Sequence, residues 1–368
     1  MNILVIAGEI SGDLYASYLV KSIKSYSRDH TIYAVGGNKL KKEADHFLFH
    51  SAHQHGVSFA KQFFNSKFKK HLLESFNIAL KKYTFDRVIL VDFQHFNTVI
   101  ASYFQSLSIP IYTFITPNFW MWKSKKKAKE ICNYSQKIIC IFRPEYEFYK
   151  NLHSQTYYFG HPYTDIIDSS KSEPMLSTSS PTITILLGSR PQEFSLYLAA
   201  MLKTCTILAK LHPSLTILLP ISSQEYLPLI QSYLDQFQTL SVTLHHDSAK
   251  QAILDSNLVI AASGSVCLEV ILYNRPLIIL AALPRFTYFF AKYVLNIKLP
   301  FISLPNFLTN QYIIPEFVQY NISPNKIAGY SKDMIQNPKK YLLNYSEIKK
   351  CLRYEKNVYS LIRNEVLS

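Results

Sequence analysis

The hydrophobic positions of the chain fall into short apolar runs that alternate with longer stretches of helical period. Most of the short runs are almost continuously apolar, which is typical of strands that a parallel sheet buries on both faces. Because strand and helix alternate through both halves of the chain, the pattern predicts an α/β fold with two doubly wound parallel sheets. The predicted strands are 2–7, 31–35, 87–92, 109–115, 137–142 and 155–160, then 182–187, 215–221, 241–246, 258–262 and 277–283, and the main predicted helices are 13–26, 60–82, 192–210, 223–238 and 265–273.

A polar segment separates the two halves. The sequence DSSKSEPMLSTSSP (168–181) is rich in serine and proline and almost free of apolar residues, which is typical of a linker. We therefore expect an N-terminal domain at 1–167 and a second domain at 182–323. The tail, 324–368, is polar and helical in pattern, so we expect it to pack back on the N-terminal domain or on a partner subunit of a homodimer.

Composition limits the class of protein. The 368 residues are 48% hydrophobic, enough for two domains with a core each. Five cysteines without CxxC spacing favour a reducing compartment and argue against a disulfide framework or a zinc ribbon. The N-terminal MNILVIAGEI lacks the basic start of a signal peptide, and no uninterrupted apolar stretch reaches the roughly 18–20 residues of a membrane-spanning helix. We therefore expect a protein that is soluble or that sits on a membrane surface.

The charge of the chain limits the classes of partner that we expect. The net charge is +14 and 14% of the residues are aromatic, which suits nucleic acid, anionic lipid head groups or phosphorylated substrates. Neither zinc-finger spacing nor an RNP-like motif is present, which argues against nucleic acid. The three histidines of HSAHQH (50–55) have no nearby carboxylate or cysteine in the sequence, so we expect no metal site.

Acidic residues follow two of the predicted strands in the first half. In VILVDFQHFN an apolar strand runs directly into Asp92, which either caps the next helix or provides the chemistry at the end of the strand. In VIAGEISGD, Asp13 is the expected cap of the following helix, and this leaves Glu9 and Ser11 unexplained. The motif is not GxGxxG and its acidic residue would repel a pyrophosphate, so we expect the nucleotide in the other domain.

Two turns in the second half have the composition of an anion site. In ITILLGSRPQEF, Ser189 and Arg190 precede a helix N-terminus, where free N–H groups, the helix dipole and a guanidinium favour phosphate. In LVIAASGSVCLE, the small SGS turn (263–265) would let a phosphate or a ribose approach closely. Glu269 follows one helical turn later, at a reach suited to ribose hydroxyls. Taken alone, the two motifs also fit a surface arginine and a capped helix.

Aromatic residues beside lysines form two further candidate surfaces. In TPNFWMWKSKKKAKE, Trp120 and Trp122 lie next to a lysine run that is either the solvated face of a helix or part of a surface that contacts lipid or sugar. The amphipathic segment 59–76 is by default a core-facing helix, and the alternative is an interfacial helix that touches acyl chains. His161 ends the last strand of the first half, either at the edge of a cleft or in a structural hydrogen bond.

Ten motifs occur in a fixed order from residue 5 to about 308: AGEISGD, VGG, GV, VDxxxFN, TPxxWxWK, FRPEYEFY, GHPYTD, LLGSRxxE, ASGSxxLE and SLPNFL. This set resembles the lipid-A-disaccharide synthase family. The resemblance implies a GT-B glycosyltransferase, in which two Rossmann-like domains face each other across a cleft. It implies inverting transfer of 2,3-diacylglucosamine from its UDP derivative to 2,3-diacylglucosamine 1-phosphate (lipid X), giving a β-1′,6 linkage and UDP. It also implies a peripheral protein on the inner face of the cytoplasmic membrane of a Gram-negative bacterium, without a metal or cofactor.

The resemblance also implies roles for the residues at matching positions. Asp92 matches the aspartate expected to act as general base for the 6-hydroxyl of the acceptor. The residues implied on the UDP side are Gly188, Ser189, Arg190, Ser263, Gly264, Ser265, Glu269 and Asn306, and those implied on the acceptor or cleft side are Glu9, Ser11, Gly12, His95, Trp120, Trp122 and His161.

Several positions depart from the family pattern. His95 stands where a second aspartate is usual, Phe59 replaces a glutamate, Leu187 a proline and Lys123 an arginine. These departures leave open a non-catalytic protein that binds lipid or nucleotide sugar, although retention of Asp92 argues against it. The fold also fits another UDP-sugar enzyme, a MurG-like transferase or a UDP-N-acetylglucosamine epimerase. The WxW segment and the basic amphipathic helix favour acylated substrates over these.

Overall fold

A computed structural model of the chain contains two compact units. Unit 1 comprises Met1–Asp165 together with Leu352–Ser368, and unit 2 comprises Ile166–Cys351. Each unit contains its own parallel sheet. The residues that the structure describes are 1–51, 66–92, 97–121, 123–167, 179–188, 191–221, 224–245, 249–282 and 300–368.

The sheet of unit 1 has seven parallel strands in the order β3-β2-β1-β4-β5-β6-β7. Its centre is buried on both faces, since every residue from Ile3 to Ala7 has 0% exposure. This burial explains why the sequence runs are continuously apolar rather than alternating. The strands are β1 Asn2–Ala7, β2 Thr31–Gly36, β3 His46–His50, β4 Arg87–Val91, β5 Ile111–Phe114, β6 Lys137–Cys140 and β7 Thr156–Tyr158.

Helices connect the strands of unit 1, as parallel pairing requires. The longest described ones have 17 residues each and follow β1 and precede β4. The helices are α1 Ile10–Tyr26, α2 Asn38–Glu43, α3 Ser66–Lys82, α4 Asn97–Ser106, α5 Lys125–Tyr134, α6 Arg143–Tyr149 and α7 Tyr163–Ile166, with a 3₁₀ turn at Asn118–Trp120.

The sheet of unit 2 has six parallel strands in the order β10-β9-β8-β11-β12-β13. All five residues of β11 and the first four of β12 are at most 1% exposed, so these strands also lie inside the unit. The strands are β8 Thr182–Leu186, β9 Thr216–Pro220, β10 Val242–His245, β11 Leu258–Ala262, β12 Leu277–Ala281 and β13 Glu316–Val318.

Three helices of unit 2, at 191–211, 227–234 and 324–336, contribute apolar residues to one core cluster with the strands. The cluster contains Leu198, Met201, Leu202 and Leu208 of the long helix after β8. The helices are α8 Pro191–Leu211, α9 Leu227–Leu234, α10 Ala249–Leu254, α11 Val266–Leu272, α12 Leu304–Thr309, α13 Pro324–Gln336, α14 Pro338–Leu342 and α15 Tyr345–Leu352, with 3₁₀ turns at Gln224–Tyr226 and Gln319–Asn321.

One of these helices bears on the expectation about membrane spans. Among the described residues, Phe194–Leu211 of α8 is long and apolar enough to cross a membrane by length and composition. Its run is interrupted by Lys203 and Lys210, which is why the sequence shows no continuous apolar span. Since the apolar face of α8 forms the core of unit 2, its composition has a structural explanation.

The segment 324–368 is helical, as predicted, and contributes to both units. Helix α13 packs on α8 through Ile327 and Met334, which belong to the core cluster of unit 2. The last helix, α16 Val358–Leu367, belongs to unit 1. There Tyr359 stacks on Tyr18 with ring centroids 5.8 Å apart, and its backbone N–H donates to the Asp165 carboxylate at 2.9 Å.

The predicted α/β class with two parallel sheets is confirmed, and each of the eleven predicted strands is present with ends within two residues. Two strands were not predicted. β3 lies at a sheet edge, is half-exposed and carries a histidine at each end, and β13 has only three residues. The predicted helix 223–238 is shorter, a 3₁₀ turn followed by α9.

Candidate functional site

The predicted motifs cluster at the two points where the strand order reverses. In unit 1 this point lies between β1 and β4, and in unit 2 it lies between β8 and β11. In open α/β sheets, the loops at the carboxyl ends of the strands diverge at such a point and leave a crevice that binds ligands. The motifs AGEISGD and VDFQHFN follow β1 and β4, and the motifs GSR and SGS follow β8 and β11.

Asp92 is held at the end of β4 in an uncommon backbone conformation. Its φ is 41°, in the left-handed region that residues other than glycine rarely adopt. Its backbone N–H donates to the Phe114 carbonyl of the neighbouring strand at 3.3 Å. Its half-buried carboxylate accepts a hydrogen bond from the Ser11 hydroxyl at 3.1 Å through Oδ2. A strained, oriented and partly accessible carboxylate is a typical arrangement at a functional site.

Gly12 permits this arrangement. A Cβ at position 12 would lie 3.1 Å from the Val91 carbonyl oxygen and 3.2 Å from the Cβ of Asp92. Since few real Cβ contacts are this short, a larger residue would push the start of α1 away from the end of β4. Ser11 and Gly12 therefore both serve to place Asp92, one through a hydrogen bond and the other through the absence of a side chain.

We predicted that Asp13 caps its own helix, and the structure shows that it does not. Helix α1 begins earlier, at Ile10 with Glu9 as N-cap, so Asp13 lies inside its first turn. The buried Asp13 carboxylate instead accepts from the backbone N–H groups of Gly37 at 2.7 Å, Lys39 at 3.0 Å and Leu40 at 3.1 Å. It therefore caps α2, which is more than twenty residues away. The sequence could not show this, because cap patterns are local.

A second buried acid, Glu145, joins the turns that follow β5 and β6. Its side chain, 1% exposed, accepts from the Thr116 N–H at 3.0 Å and the Thr116 hydroxyl at 2.6 Å. It also accepts from the N–H groups of Ile141 at 2.8 Å and Phe142 at 3.1 Å. Burial raises the pKa of Glu145, and these four donors oppose that rise by stabilising the carboxylate. Sequence reasoning missed Glu145 as a site residue, although it follows the proline of FRPE at a helix start.

His161 and Trp120 lie in a buried aromatic cluster. His161 is 0% exposed and Trp120 is 5% exposed, and both rings pack near Phe142, at 5.0 Å and 5.8 Å between centroids. The Tyr163 N–H donates to His161 Nδ1 at 3.2 Å, and burial lowers the pKa of His161 to about 3. The imidazole is therefore neutral at physiological pH. Both residues support the carboxyl edge of the sheet from inside, and neither forms the open surface that the sequence had suggested for the tryptophan.

Tyr15, which the sequence analysis also missed, completes this cluster from α1. Its ring lies 5.8 Å from His161 and 5.2 Å from Tyr163. Burial raises the pKa of Tyr15 well above its usual value, with smaller contributions from Tyr163 and from the Asp92 charge. The phenol therefore stays protonated, and its ring belongs to the buried cluster at the carboxyl end of the sheet, where Asp92 also lies.

The corresponding point in unit 2 is made of small residues. Gly188 follows β8 with a φ of 75°, which glycine adopts without strain. After β11, Ser263 donates its N–H to the Leu280 carbonyl at 2.8 Å, and Ser265 is the N-cap residue of α11. Between them Gly264 is exposed, and a Cβ added there would meet nothing within 4 Å. Glu269 lies half-buried in the first turn of α11. This open, small turn at a helix start is suited to an anionic group.

Asn306 has a structural role in unit 2. It is 0% exposed, and its Nδ2 donates to the Ile314 carbonyl at 2.8 Å and to Glu316 Oε2 at 3.1 Å. Its Oδ1 accepts from the N–H groups of Ile313 at 2.9 Å and Ile314 at 2.8 Å. Since all four hydrogen-bonding positions of the amide are used within the protein, Asn306 supports the segment around β13 instead of reaching a ligand.

Some predicted site residues lie outside the described part of the chain. These are Ser189 and Arg190 on the implied UDP side, and His95 and Trp122 on the implied acceptor side. Phe59, which departs from the family pattern, also lies outside the described residues. The described neighbours of the first pair, Gly188 and the start of α8, are as predicted, a glycine turn followed by a helix.

Curated relatives of the chain share one name. Lipid-A-disaccharide synthase 1 from Legionella pneumophila (strain Lens) is 28% identical over 344 residues, which cover 92% of this chain and 88% of that protein. Lipid-A-disaccharide synthase from Synechocystis sp. (strain ATCC 27184 / PCC 6803 / Kazusa) is 27% identical over 375 residues, covering 96% and 94%.

Solved structures establish the fold class. A putative UDP-N-acetylglucosamine 2-epimerase from Listeria monocytogenes matches with a TM-score of 0.67 at 9% identity, covering 100% of this chain and 94% of that one. MurG from Acinetobacter baumannii matches with a TM-score of 0.52 at 12% identity, covering 100% and 99%. The two parallel-sheet units are therefore those of the GT-B fold, as the sequence predicted.

The match to a family model extends over almost the entire chain. The model of lipid-A-disaccharide synthetase covers residues 3–366, which include the turns after β1, β4, β8 and β11 and the helical tail. The chain belongs to the lipid-A-disaccharide synthetase family, glycosyltransferases of lipid A biosynthesis.

Proposed function

We propose that the protein transfers 2,3-diacylglucosamine from its UDP derivative to the 6-hydroxyl of 2,3-diacylglucosamine 1-phosphate. The products are the β-1′,6-linked disaccharide 1-phosphate and UDP. The observation that carries this proposal is Asp92, a half-buried carboxylate at a switch point, oriented by Ser11 and set in a left-handed conformation. A carboxylate held in this way is suited to deprotonate a hydroxyl group.

The proposed reaction is a single displacement. Asp92 accepts the proton of the acceptor 6-hydroxyl as its oxygen attacks the anomeric carbon of the donor. The bond between that carbon and the diphosphate oxygen breaks, and UDP leaves with the electron pair. Attack opposite to the leaving group inverts the α-linked donor to a β linkage. A general base of this kind contributes roughly 10²–10⁴-fold to the rate.

We assign the UDP moiety to the switch point of unit 2. The open turn at Gly264 and the helix start after Ser265 provide backbone N–H groups and a dipole that favour an anion. Glu269, one turn along α11, is assigned to the ribose hydroxyls. Arg190 is assigned to the diphosphate, where its charge would offset the negative charge that develops on the leaving group.

We further propose that the protein binds peripherally to the anionic inner face of the cytoplasmic membrane. Unit 1 supports this proposal, because it contains 24 Lys and Arg against 14 Asp and Glu, compared with 15 against 11 in unit 2. The lysines at 123, 125, 126, 127 and 129 are all exposed, around the start of α5. Anionic head groups attract such a cluster.

A transfer assay tests the proposed function. Purified protein is incubated with UDP-2,3-diacylglucosamine and radiolabelled 2,3-diacylglucosamine 1-phosphate, and the disaccharide is separated by thin-layer chromatography. We expect disaccharide and UDP in equal amounts. Absence of disaccharide from a protein that binds UDP would overturn the proposal. Parallel reactions with UDP-N-acetylglucosamine, alone or with a non-acylated acceptor, would reveal an epimerase or a different transferase.

A further inference from the structure

We propose that Glu145 is a positioning residue for this transfer, which acts through Thr116 on the strand end that holds Asp92. The inference rests on the proposed function. It concerns the turn after β5, which lies between Asp92 on one side and the buried Glu145 on the other. Glu145 is 1% exposed and so takes no direct part in binding a substrate.

The ends of β4 and β5 are unusual in the same way. Val91 pairs with Phe114 in parallel register, and the next residue on each strand lies in the left-handed region. The φ of Asp92 is 41° and that of Ile115 is 68°. A β-branched residue such as Ile115 is strained at positive φ, and it keeps this conformation only if its surroundings hold it.

Three consecutive residues, 114–116, are hydrogen-bonded to Asp92, to β6 and to Glu145 in turn. The Asp92 N–H donates to the Phe114 carbonyl at 3.3 Å, and the Ile115 N–H donates to the Ile139 carbonyl at 3.0 Å. The next residue, Thr116, donates both its N–H and its hydroxyl to Glu145 Oε1, at 3.0 Å and 2.6 Å. The strained turn is therefore fixed on both sides of Ile115.

These contacts go beyond the capping of α6. As the third residue of that helix, Glu145 accepts from the Ile141 and Phe142 N–H groups through Oε2, which completes the cap. Its other oxygen, Oε1, is used by Thr116, 29 residues earlier in the chain. One carboxylate thus serves the helix with one oxygen and the turn beside Asp92 with the other. The two roles can be separated by mutation.

Thr116→Val provides that separation. It removes the hydroxyl donor, preserves the shape of the side chain and leaves the contacts of Oε2 with α6 in place. Thr116 is 2% exposed, so its side chain does not contact a substrate directly. Displacement of reacting groups by about 1 Å can reduce a rate by about 10²-fold. We therefore expect kcat to fall at least tenfold, with KM for both substrates within twofold of wild type.

The experiment compares wild type, Thr116→Val, Thr116→Ser and Glu145→Gln at saturating substrates, well below the melting temperature of the least stable variant. Thr116→Ser keeps the hydroxyl, so it should restore kcat to within about threefold of wild type. If both residues act through one contact, Thr116→Val should add little to the kcat loss of Glu145→Gln in the double variant.

The outcomes separate this inference from the proposed function. A wild type that forms no disaccharide overturns both. If the wild type is active and Thr116→Val keeps kcat within twofold, only the positioning role is overturned, and Glu145 is a helix cap. Equal losses of kcat in Thr116→Val and Thr116→Ser would also overturn it, because the hydroxyl would then have no specific effect. Should Glu145→Gln fail to fold, the two Thr116 variants still decide the question.

Discussion

The turns at the switch point of unit 1 differ in chemistry from those of unit 2, although the two sheets share one strand order around that point. In unit 1 the turns contain Asp92, which has a positive φ and accepts a hydrogen bond from Ser11. In unit 2 they contain Gly188, Ser263, Gly264 and Ser265, with open space at the central glycine. The shared topology thus provides two crevices, and because the turns differ in their residues we propose proton transfer for one and anion binding for the other.

The largest expected effect is that of Asp92→Asn. If unit 1 provides the base and unit 2 the nucleotide site, kcat should fall by roughly 10²–10⁴-fold while the Kd for UDP stays within twofold. Steady-state kinetics and calorimetric titration with UDP measure the two quantities. Asp29→Asn is the matched control, because Asp29 is exposed and lies at the amino edge of the sheet, before β2. Near wild-type turnover of Asp92→Asn would mean that Asp92 is not the general base.

Asp13→Ala should affect stability instead. The change removes three hydrogen bonds from the start of α2 and leaves buried N–H groups without an acceptor, so the free energy of unfolding should fall by about 2 kcal/mol. Urea unfolding followed by circular dichroism measures it, with Asp29→Ala as the control. A variant of unchanged stability that loses turnover would show that Asp13 belongs to the chemistry of unit 1.

A substitution of Gly264 tests unit 2. Because a Cβ at this position meets nothing within 4 Å, Gly264→Val should fold normally and obstruct only a ligand. We expect UDP to bind at least tenfold more weakly, with the melting temperature within about 2 °C of wild type. The control is Gly329→Ala, because an added Cβ at Gly329 in α13 also meets nothing within 4 Å. It is compared with Gly264→Ala, since valine at position 329 would lower the helix propensity of α13. Unchanged UDP affinity in both Gly264 variants would place the nucleotide elsewhere.

The smallest effect near neutral pH concerns His161. Its pKa is about 3 in the folded protein and about 6.5 unfolded, so below pH 6.5 the unfolded state binds a proton that the folded state does not. The stability contribution is complete above pH 6.5 and is lost as pH falls toward 3. The loss is about 0.7 kcal/mol between pH 7 and 6 and approaches about 1.4 kcal/mol per pH unit below that.

Comparison with His161→Phe isolates this contribution, because phenylalanine keeps an aromatic ring against Phe142 and Tyr163. Urea unfolding at pH 7, 6 and 5 should show the difference in stability between wild type and variant shifting in favour of the variant as pH falls. A difference that does not change with pH would mean that His161 binds a proton as readily in the folded protein as in the unfolded chain.

The sequence predicted the sheets more reliably than the contacts of the site. Buried parallel strands are apolar along their whole length, so β1, β4, β8 and β11 and their final residues were evident, including Asp92 at the end of a strand. Edge strands β3 and β13 lack that signal, because one is half-exposed and the other is very short.

The roles of single polar residues depended on distant partners. Asp13 was expected to cap its own helix, but its acceptor oxygens reach N–H groups at 37–40. The motif around Asn306 led us to expect it on the UDP side. Its side-chain amide instead makes all its hydrogen bonds with residues 313–316. In both cases the residue was noticed and the partner could not be inferred, since hydrogen bonds across loops leave no periodic pattern.

The division of the chain at residues 165 and 352 has a consequence for synthesis on the ribosome. Unit 2 is an insertion within unit 1, whose remaining piece, Leu352–Ser368, contains α16. While residues 166–351 emerge, β1 to β7 are already available, but α1 still lacks the helix that covers Tyr18 and Ser22. Unit 1, although most of it is translated first, therefore cannot cover α1 until the residues that follow unit 2 have been made.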